Sequence, residues 1–212
     1  MLIVTTRCVL LDALGTLVEL EPPWPLLAAD LGLDVDDAER AMRAEMSYYR
    51  DHSHEGRDAE SLADLRRRCA AIVSAELGRE VTADQLMAAI HFRAYPDALP
   101  ALAELRGMGL RLVCVSNWDV SLPSVLDRCG LAQGLDAVVT SAVAGARKPD
   151  PAIFYAGLSV AGCDAGDALH VGDTESEDVE GGRAAGIRAL LIDRKGGGDI
   201  QSLAAIRHHL DS

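Results

Sequence analysis

Six polar residues stand where chemistry can be done: Asp12, Ser116, Asn117, Lys148, Asp173 and Asp178. Asp12 directly follows the apolar run from Arg7 to Leu11, Ser116-Asn117 follows Leu110 to Val115, and Gly172-Asp173 follows Ala168 to Val171. A carboxylate held at a strand end can attack phosphorus or carbon and form a covalent ester. Carboxylates also suit a hard divalent cation, and a lysine can neutralise a nucleophile or a transferring group. Local cations are needed here. Lys and Arg number 20 against 33 Asp and Glu, a formal net charge of −13, so an anionic substrate is repelled at long range unless a metal ion and a local cation reverse the field inside one cleft.

The elements that must position these residues follow from two alternating textures. Short β-type runs recur at Arg7 to Leu11, Leu110 to Val115, Asp136 to Thr140, Ala168 to Val171 and Ala189 to Ile192, with helix-length segments between the later ones. That β-α-β rhythm predicts an α/β fold, a Rossmann-like parallel sheet covered on both faces in three layers. In such a sheet ligands sit beyond the carboxyl ends of the strands, where the six residues fall. The stretch from about Val18 to Tyr95 reads differently: it is rich in Ala, Leu, Glu and Arg, has no strand-like run, and spaces Leu62, Leu65, Cys69, Ile72 and Val73 as a helical stripe. It predicts an inserted α-helical cap, with core residues 1–17 and 96–212 and cap residues 18–95. Glu21-Pro22-Pro23 and Tyr95-Pro96-Asp97 are its expected hinges, since proline interrupts helices.

Read in order, the loops carry Asp12-Ala13-Leu14-Gly15-Thr16-Leu17, Ser116-Asn117-Trp118-Asp119, Arg147-Lys148-Pro149-Asp150-Pro151 and Gly172-Asp173-Thr174-Glu175-Ser176-Glu177-Asp178. This ordered set resembles the four motifs of the haloacid dehalogenase superfamily of hydrolases: D-x-D-G-T, S-N, a lysine motif and G-D-x-x-x-x-D. The resemblance implies that Asp12 is the nucleophile and that Lys148 neutralises it and the transferring group. It implies that Asp12 and Asp173 ligate Mg²⁺, that the main-chain carbonyl of Leu14 gives another contact, and that Asp178 supports the metal from its rim. Ser116 and Thr16 are then expected at the phosphoryl oxygens, and Asn117 at substrate or at Lys148. Gly15 fits a tight turn. Trp118, Asp119, Arg43, Arg50, Arg57, His52 and His54 could line the cap interface, although ordinary packing accounts for each. His170, in an apolar strand, is expected to be a satisfied core histidine, and the His208-His209 pair suggests no metal site.

One departure limits the expected activity. Leu14 occupies the place of the second aspartate, which in the family's phosphatases protonates the leaving group and activates the hydrolytic water. Leucine can do neither, and losing a general acid/base typically costs about 10² to 10⁴ in rate. The leading reading is a slow Mg²⁺-dependent phosphatase acting through an aspartyl-phosphate on a small phosphorylated metabolite. The alternatives are a 2-haloacid dehalogenase, whose displacement of halide needs no leaving-group protonation, and a non-catalytic phosphate-binding or regulatory protein.

Composition excludes other classes. The acidic balance offers no basic patch for nucleic acid or an anionic membrane surface. No apolar run approaches the roughly 18 residues that cross a bilayer, so a soluble cytoplasmic protein without a signal peptide is expected. Five widely spaced cysteines without a C-x-x-C pair suggest free thiols rather than disulfides or zinc. At 212 residues with 49% hydrophobic content, the chain can build a substantial core. Oligomeric state is not legible from it.

Overall fold

The computed structural model describes residues 6–210. After β1 (Cys8–Leu11) come β2 (Val18–Leu20), four helices, α1 (Trp24–Leu31), α2 (Val35–His52), α3 (Ala59–Leu77) and α4 (Ala83–Ala89), and β3 (Phe92–Ala94). The chain then alternates through α5 (Ala98–Gly107), β4 (Arg111–Ser116), α6 (Leu122–Arg128), β5 (Ala137–Thr140), α7 (Ser141–Ala144), α8 (Pro151–Ala161), β6 (Ala168–Gly172), α9 (Glu180–Ala184) and β7 (Arg188–Leu191). Five of the strands form one parallel sheet in the order β5-β4-β1-β6-β7.

Burial on both faces explains why these strands read as continuous apolar runs. Alternate residues of β1 serve opposite layers. Cys8 and Leu10 pack with Ile153, Phe154 and Leu158 of α8, whereas Val9 and Leu11 pack with Leu102 and Leu105 of α5 and Leu122 and Leu126 of α6. The register pairs Leu11 with Cys114 on one side and with Val171 on the other, so the residues that follow β1, β4 and β6 emerge side by side. The chain moves outward from β1 to β5 and returns to place β6 on the opposite side of β1, and that reversal opens a crevice at the sheet's carboxyl end.

The four inserted helices surround their own apolar cluster, which includes Leu27, Met42, Leu65, Cys69, Val73 and Leu86. Side-chain caps start three of them: Asp34 accepts from Asp36 N at 2.9 Å, and Asp58 with Ser61 and Thr82 with Gln85 form capping boxes. The expectation that the insert carries no strand needs correction. At its two ends β2 and β3 pair antiparallel, with Glu19 and Arg93 joined at 2.8 Å across 74 residues. Three-residue strands are too short to show alternation, and their pairing partners lie far apart in the chain. Among the described residues no helix is long and apolar enough to cross a membrane, and all five cysteines are free thiols.

Candidate active site

Asp12 continues the ladder past β1: its N–H donates to Val171 O at 2.9 Å, which leaves the carboxyl group one step beyond the sheet and only 4% exposed. The next residues turn sharply, Leu17 and Val18 both donating to Ala13 O at 2.8 and 2.9 Å. Gly15 makes that turn with φ +82°, and a Cβ there would lie 2.0 Å from Asp173 Oδ2. A side chain is therefore excluded twice, by the backbone conformation and by the approach of Asp173.

Arg194 holds this turn from outside. Its Nε donates to Gly15 O at 3.3 Å, its Nη2 to Thr16 O at 2.5 Å and its Nη1 to Asp97 Oδ1 at 3.0 Å, while its guanidinium lies 3.5 Å from the Tyr95 ring centroid. Lysine could not reproduce such a planar fork. Arg194→Ala is expected to cost about 2 kcal/mol of stability, the scale of hydrogen bonds to a charged group. It should also lower kcat/KM about tenfold or more by releasing the Asp12 loop. Urea unfolding together with steady-state kinetics tests both, and a variant that changes neither removes Arg194 from the site's support.

Around Asp12 the other loops converge. Ser116 Oγ donates to Asp12 Oδ1 at 2.9 Å, and Lys148 Nζ reaches Asp12 Oδ1 and Asp178 Oδ1 at 2.5 Å each. Lys148 is only 2% exposed, so its ammonium is held away from water. Asn117 holds the lysine by its backbone: its Oδ1 accepts from Lys148 N at 2.7 Å and its Nδ2 donates to Lys148 O at 3.1 Å and to Glu177 Oε2 at 2.9 Å. Asn117 thus meets the main chain of Lys148, and it also lines the cavity where a substrate would sit. Asp178 is held on both oxygens, by His170 Nε2 at 2.9 Å on Oδ1 and by Thr174 N at 3.0 Å on Oδ2. Gly172 makes room for it, since a Cβ there would lie 2.0 Å from Asp178 Cγ.

The electrostatics follow from burial and neighbouring charge. Desolvation pushes the Asp12 carboxyl up to about 6 against the pull of Lys148, with Asp178 and Asp173 adding to the rise. Asp173 is also raised, by desolvation and then by the charge of Asp178. Desolvation would raise Asp178 too, but Lys148 and His170 hold it well below its ordinary value. For Lys148, desolvation alone would lower the ammonium, and the Asp12 and Asp178 carboxylates raise it instead. Asp12, Asp173 and Asp178 each offer a carboxylate oxygen, all within 4.8 Å of one another. Three like charges at that spacing against one lysine leave an excess of negative charge that suits a divalent cation. Because Asp178 already has partners on both oxygens, Asp12 and Asp173 are the better placed ligands. Among the described residues the Leu14 carbonyl accepts no hydrogen bond, so it too can take a ligand.

These groups open into a cavity of about 750 Å³ between the sheet's carboxyl end and the cap helices. Leu14, 40% exposed, lines it beside Asp12, Ser116, Lys148 and Asp173. Thr16 must be corrected as a substrate contact. The turn folds it inward, its side chain is fully buried away from the cavity, and among the described residues its hydroxyl has no hydrogen-bond partner. Of the cap-interface candidates, Trp118, Asp119 and Arg50 line the cavity and Arg43, Arg57, His52 and His54 do not. Arg43 pairs instead with Glu39 at 2.5 Å, and His52 stacks on Tyr48.

Several residues of the site escaped the sequence reading. His170 was expected in the core, but not its bond to Asp178, and among the described residues its other ring nitrogen, Nδ1, has no hydrogen-bond partner. Arg194 carries no local signal, since its targets lie about 180 residues away. Glu45 did carry one: it interrupts the buried stripe Ala38, Ala41 and Met42 of α2.

A sequence model of the haloacid dehalogenase-like hydrolases matches residues 6–186. A phosphatase of Mycobacterium tuberculosis is 38% identical over 122 residues, 54% of this chain and 56% of that one. The chain spans between about one third and a little over half the length of the curated relatives it matches. Among solved structures, a phosphatase from Thermococcus onnurineus superposes with TM-score 0.69 at 26% identity, covering 97% of this chain and 98% of that one. A 2-haloacid dehalogenase from Pseudomonas syringae superposes with TM-score 0.67 at 22% identity over 96% and 97% of the two chains, a likeness of fold alone.

Proposed function

Because the chain belongs to the haloacid dehalogenase-like hydrolases, we propose that it is a phosphatase that transfers the phosphoryl group of a small phosphate ester to Asp12, with Mg²⁺ as its cofactor. The observation that carries this reading is the buried Lys148 ammonium between Asp12 and Asp178, with Asp173 within 4.8 Å, at the floor of a ligand-sized cavity. Residues 1–17 and 96–212 then form the catalytic core, and 18–95 the cap that encloses the substrate.

In this reading the Asp12 carboxylate, oriented by Lys148 and Ser116, attacks phosphorus as the bond to the leaving oxygen breaks. The acyl phosphate that forms is later cleaved by water, regenerating Asp12 and releasing phosphate. Lys148 and Ser116 hold Asp12 in position and stabilise charge as it develops. Mg²⁺, held by Asp12, Asp173 and the Leu14 carbonyl with Asp178 in support, would neutralise the phosphoryl oxygens. The leaving oxygen must take its proton from water, because Leu14 has none to give, and the attacking water also lacks a side-chain base there. Turnover is therefore slow, and esters with good leaving groups are preferred. A haloacid fits less well, since a dehalogenase works without a metal and the bare cluster of Asp12, Asp173 and Asp178 would repel its carboxylate.

The test is incubation with Mg²⁺ and an aryl phosphate followed by intact-protein mass measurement. The expected result is one phosphoryl adduct, absent in Asp12→Asn. No adduct and no released phosphate would leave a phosphate-binding protein without turnover, and halide release from a haloacid would leave a dehalogenase. Separately, Asp173→Asn should weaken Mg²⁺ binding in a calorimetric titration by on the order of tenfold or more, and an unchanged isotherm would remove Asp173 from the metal site.

A further inference from the structure

We infer that the cap side of the cavity binds a cationic group, an ammonium on an apolar body, carried by the alcohol part of the phosphate ester, and that Glu45 is the residue that receives it. The word ester rests on the phosphatase reading above; the cation subsite rests on geometry of its own.

Glu45 stands in the middle of α2, 3% exposed, on the face that packs into the cap cluster, and it lines the cavity. A carboxylate buried without a cation is costly, and an apolar residue at a packed position is usually tolerated better. Among the described residues no cation pairs with Glu45. Two arginines of its own and the neighbouring helix are committed elsewhere, Arg43 to Glu39 and Arg68 to Glu55 and Asp64. Burial raises its carboxyl above the ordinary value, against the smaller lowering effect of the Cys69 thiol on α3.

The groups near Glu45 deepen the negative character. Tyr49 gives its one proton to Asp119 Oδ2 at 2.8 Å, and Asp119 Oδ1 accepts from Ser121 N at 2.7 Å. Asp119 is 4% exposed and lines the same cavity, and among the described residues it has no cation partner either. Two buried acids thus share this chamber, while the buried cation, Lys148, is bound to Asp12 and Asp178. Leu62, Leu65, Leu86, Met87, Ile90 and Phe92 give the cavity an apolar stretch of wall. Arg50, Arg66 and Arg128 also line the cavity, but Arg50 and Arg128 are exposed and Arg66 is half-buried, where water screens them. An ammonium on an apolar stem matches both the wall and the unpaired carboxylate. It would also offset the repulsion between a phosphate ester and a protein of net charge −13.

The test compares 4-phenylbutylamine with 4-phenylbutanol, similar in size and differing in charge, by calorimetric titration of the full chain without metal. The amine is expected to bind on the order of tenfold tighter or more. In Glu45→Gln the ratio should fall close to one. Glu45→Met, which keeps the volume and removes the polar group, serves the same purpose if the amide variant folds poorly. Equal affinities in the unmodified protein, binding of neither compound, or an amine preference that survives both variants would overturn the inference. Phosphate release from the esters of 4-aminobutanol and of butanol, with an aryl phosphate as reference, separates the two readings. Amine-selective binding without release from any ester keeps the subsite and removes the phosphatase. Release from the aryl phosphate without amine preference keeps the phosphatase and removes the subsite.

Discussion

The Leu14→Asp variant is expected to gain phosphatase activity, by about tenfold at least and up to about 10² to 10⁴, the contribution of a positioned general acid/base. The structure removes the main steric objection. Leu14 is 40% exposed and lines the cavity beside Asp12, so exchanging it for the smaller aspartate sacrifices little packing. The turn that carries it is held by backbone hydrogen bonds of Ala13 and Val18 and by Arg194, none of which uses the Leu14 side chain. A new carboxylate at that position can protonate the leaving oxygen and later draw a proton from the attacking water. The gain should be larger for alkyl than for aryl phosphates, because an alkoxide depends on protonation in the transition state and a nitrophenolate leaves with little help. The measurement is kcat/KM for one ester of each kind in both proteins with Mg²⁺, after checking that the variant is folded. A folded variant that gains on neither substrate would mean that another group already supplies the proton, or that the site does not cleave phosphate esters.

Lys148→Met should have the opposite effect and a second one. The lysine is 2% exposed and bonds both Asp12 and Asp178 at 2.5 Å, so its removal leaves two buried carboxylates facing each other without the cation between them. Breaking a buried ion pair by removing one partner typically costs about 3 to 5 kcal/mol. Urea unfolding in the presence of a chelator should show a loss on that scale, partly restored by Mg²⁺, which supplies positive charge to the same carboxylates. Activity should fall by about 10² to 10³, the usual effect of deleting one charge-stabilising group. A variant as stable as its parent without metal would mean that the carboxylates take up protons freely enough to dispense with Lys148.

The sequence carried the frame of this molecule. Strand runs read from composition lie within one or two residues of β1, β4, β5, β6 and β7, because a strand buried on both faces must be apolar throughout. The placement of Asp12, Ser116, Asn117, Lys148, Asp173 and Asp178 at one end of the sheet was also legible. Parallel strands with helical crossovers bring their carboxyl ends to one side, so residues after different runs become neighbours whatever their separation in the chain. The helical character of the insert followed from the spacing of Leu65, Cys69 and Val73, which the structure buries together.

Tertiary structure alone decided which atoms meet. Thr16 looked like a phosphate contact and is buried, because the direction of a side chain in a tight turn depends on what packs beneath it. Gly15 is required by the approach of Asp173, about 160 residues later, as much as by its own backbone angle. His170 reaches Asp178 because a π-helical turn, Glu175–Val179, carries that carboxylate back over β6. Arg194, just beyond the edge strand β7, clamps the Asp12 turn, and β2 and β3 pair across the whole insert. Glu45 and Asp119 line one cavity only because cap and core close on each other, through the Tyr49 hydroxyl on Asp119 and Val120 N on Gly56 O. Periodicity reports which residues share a face of one element. Contacts between elements depend on packing that no local pattern encodes, and the electrostatics of the site and the shape of its cavity arise there.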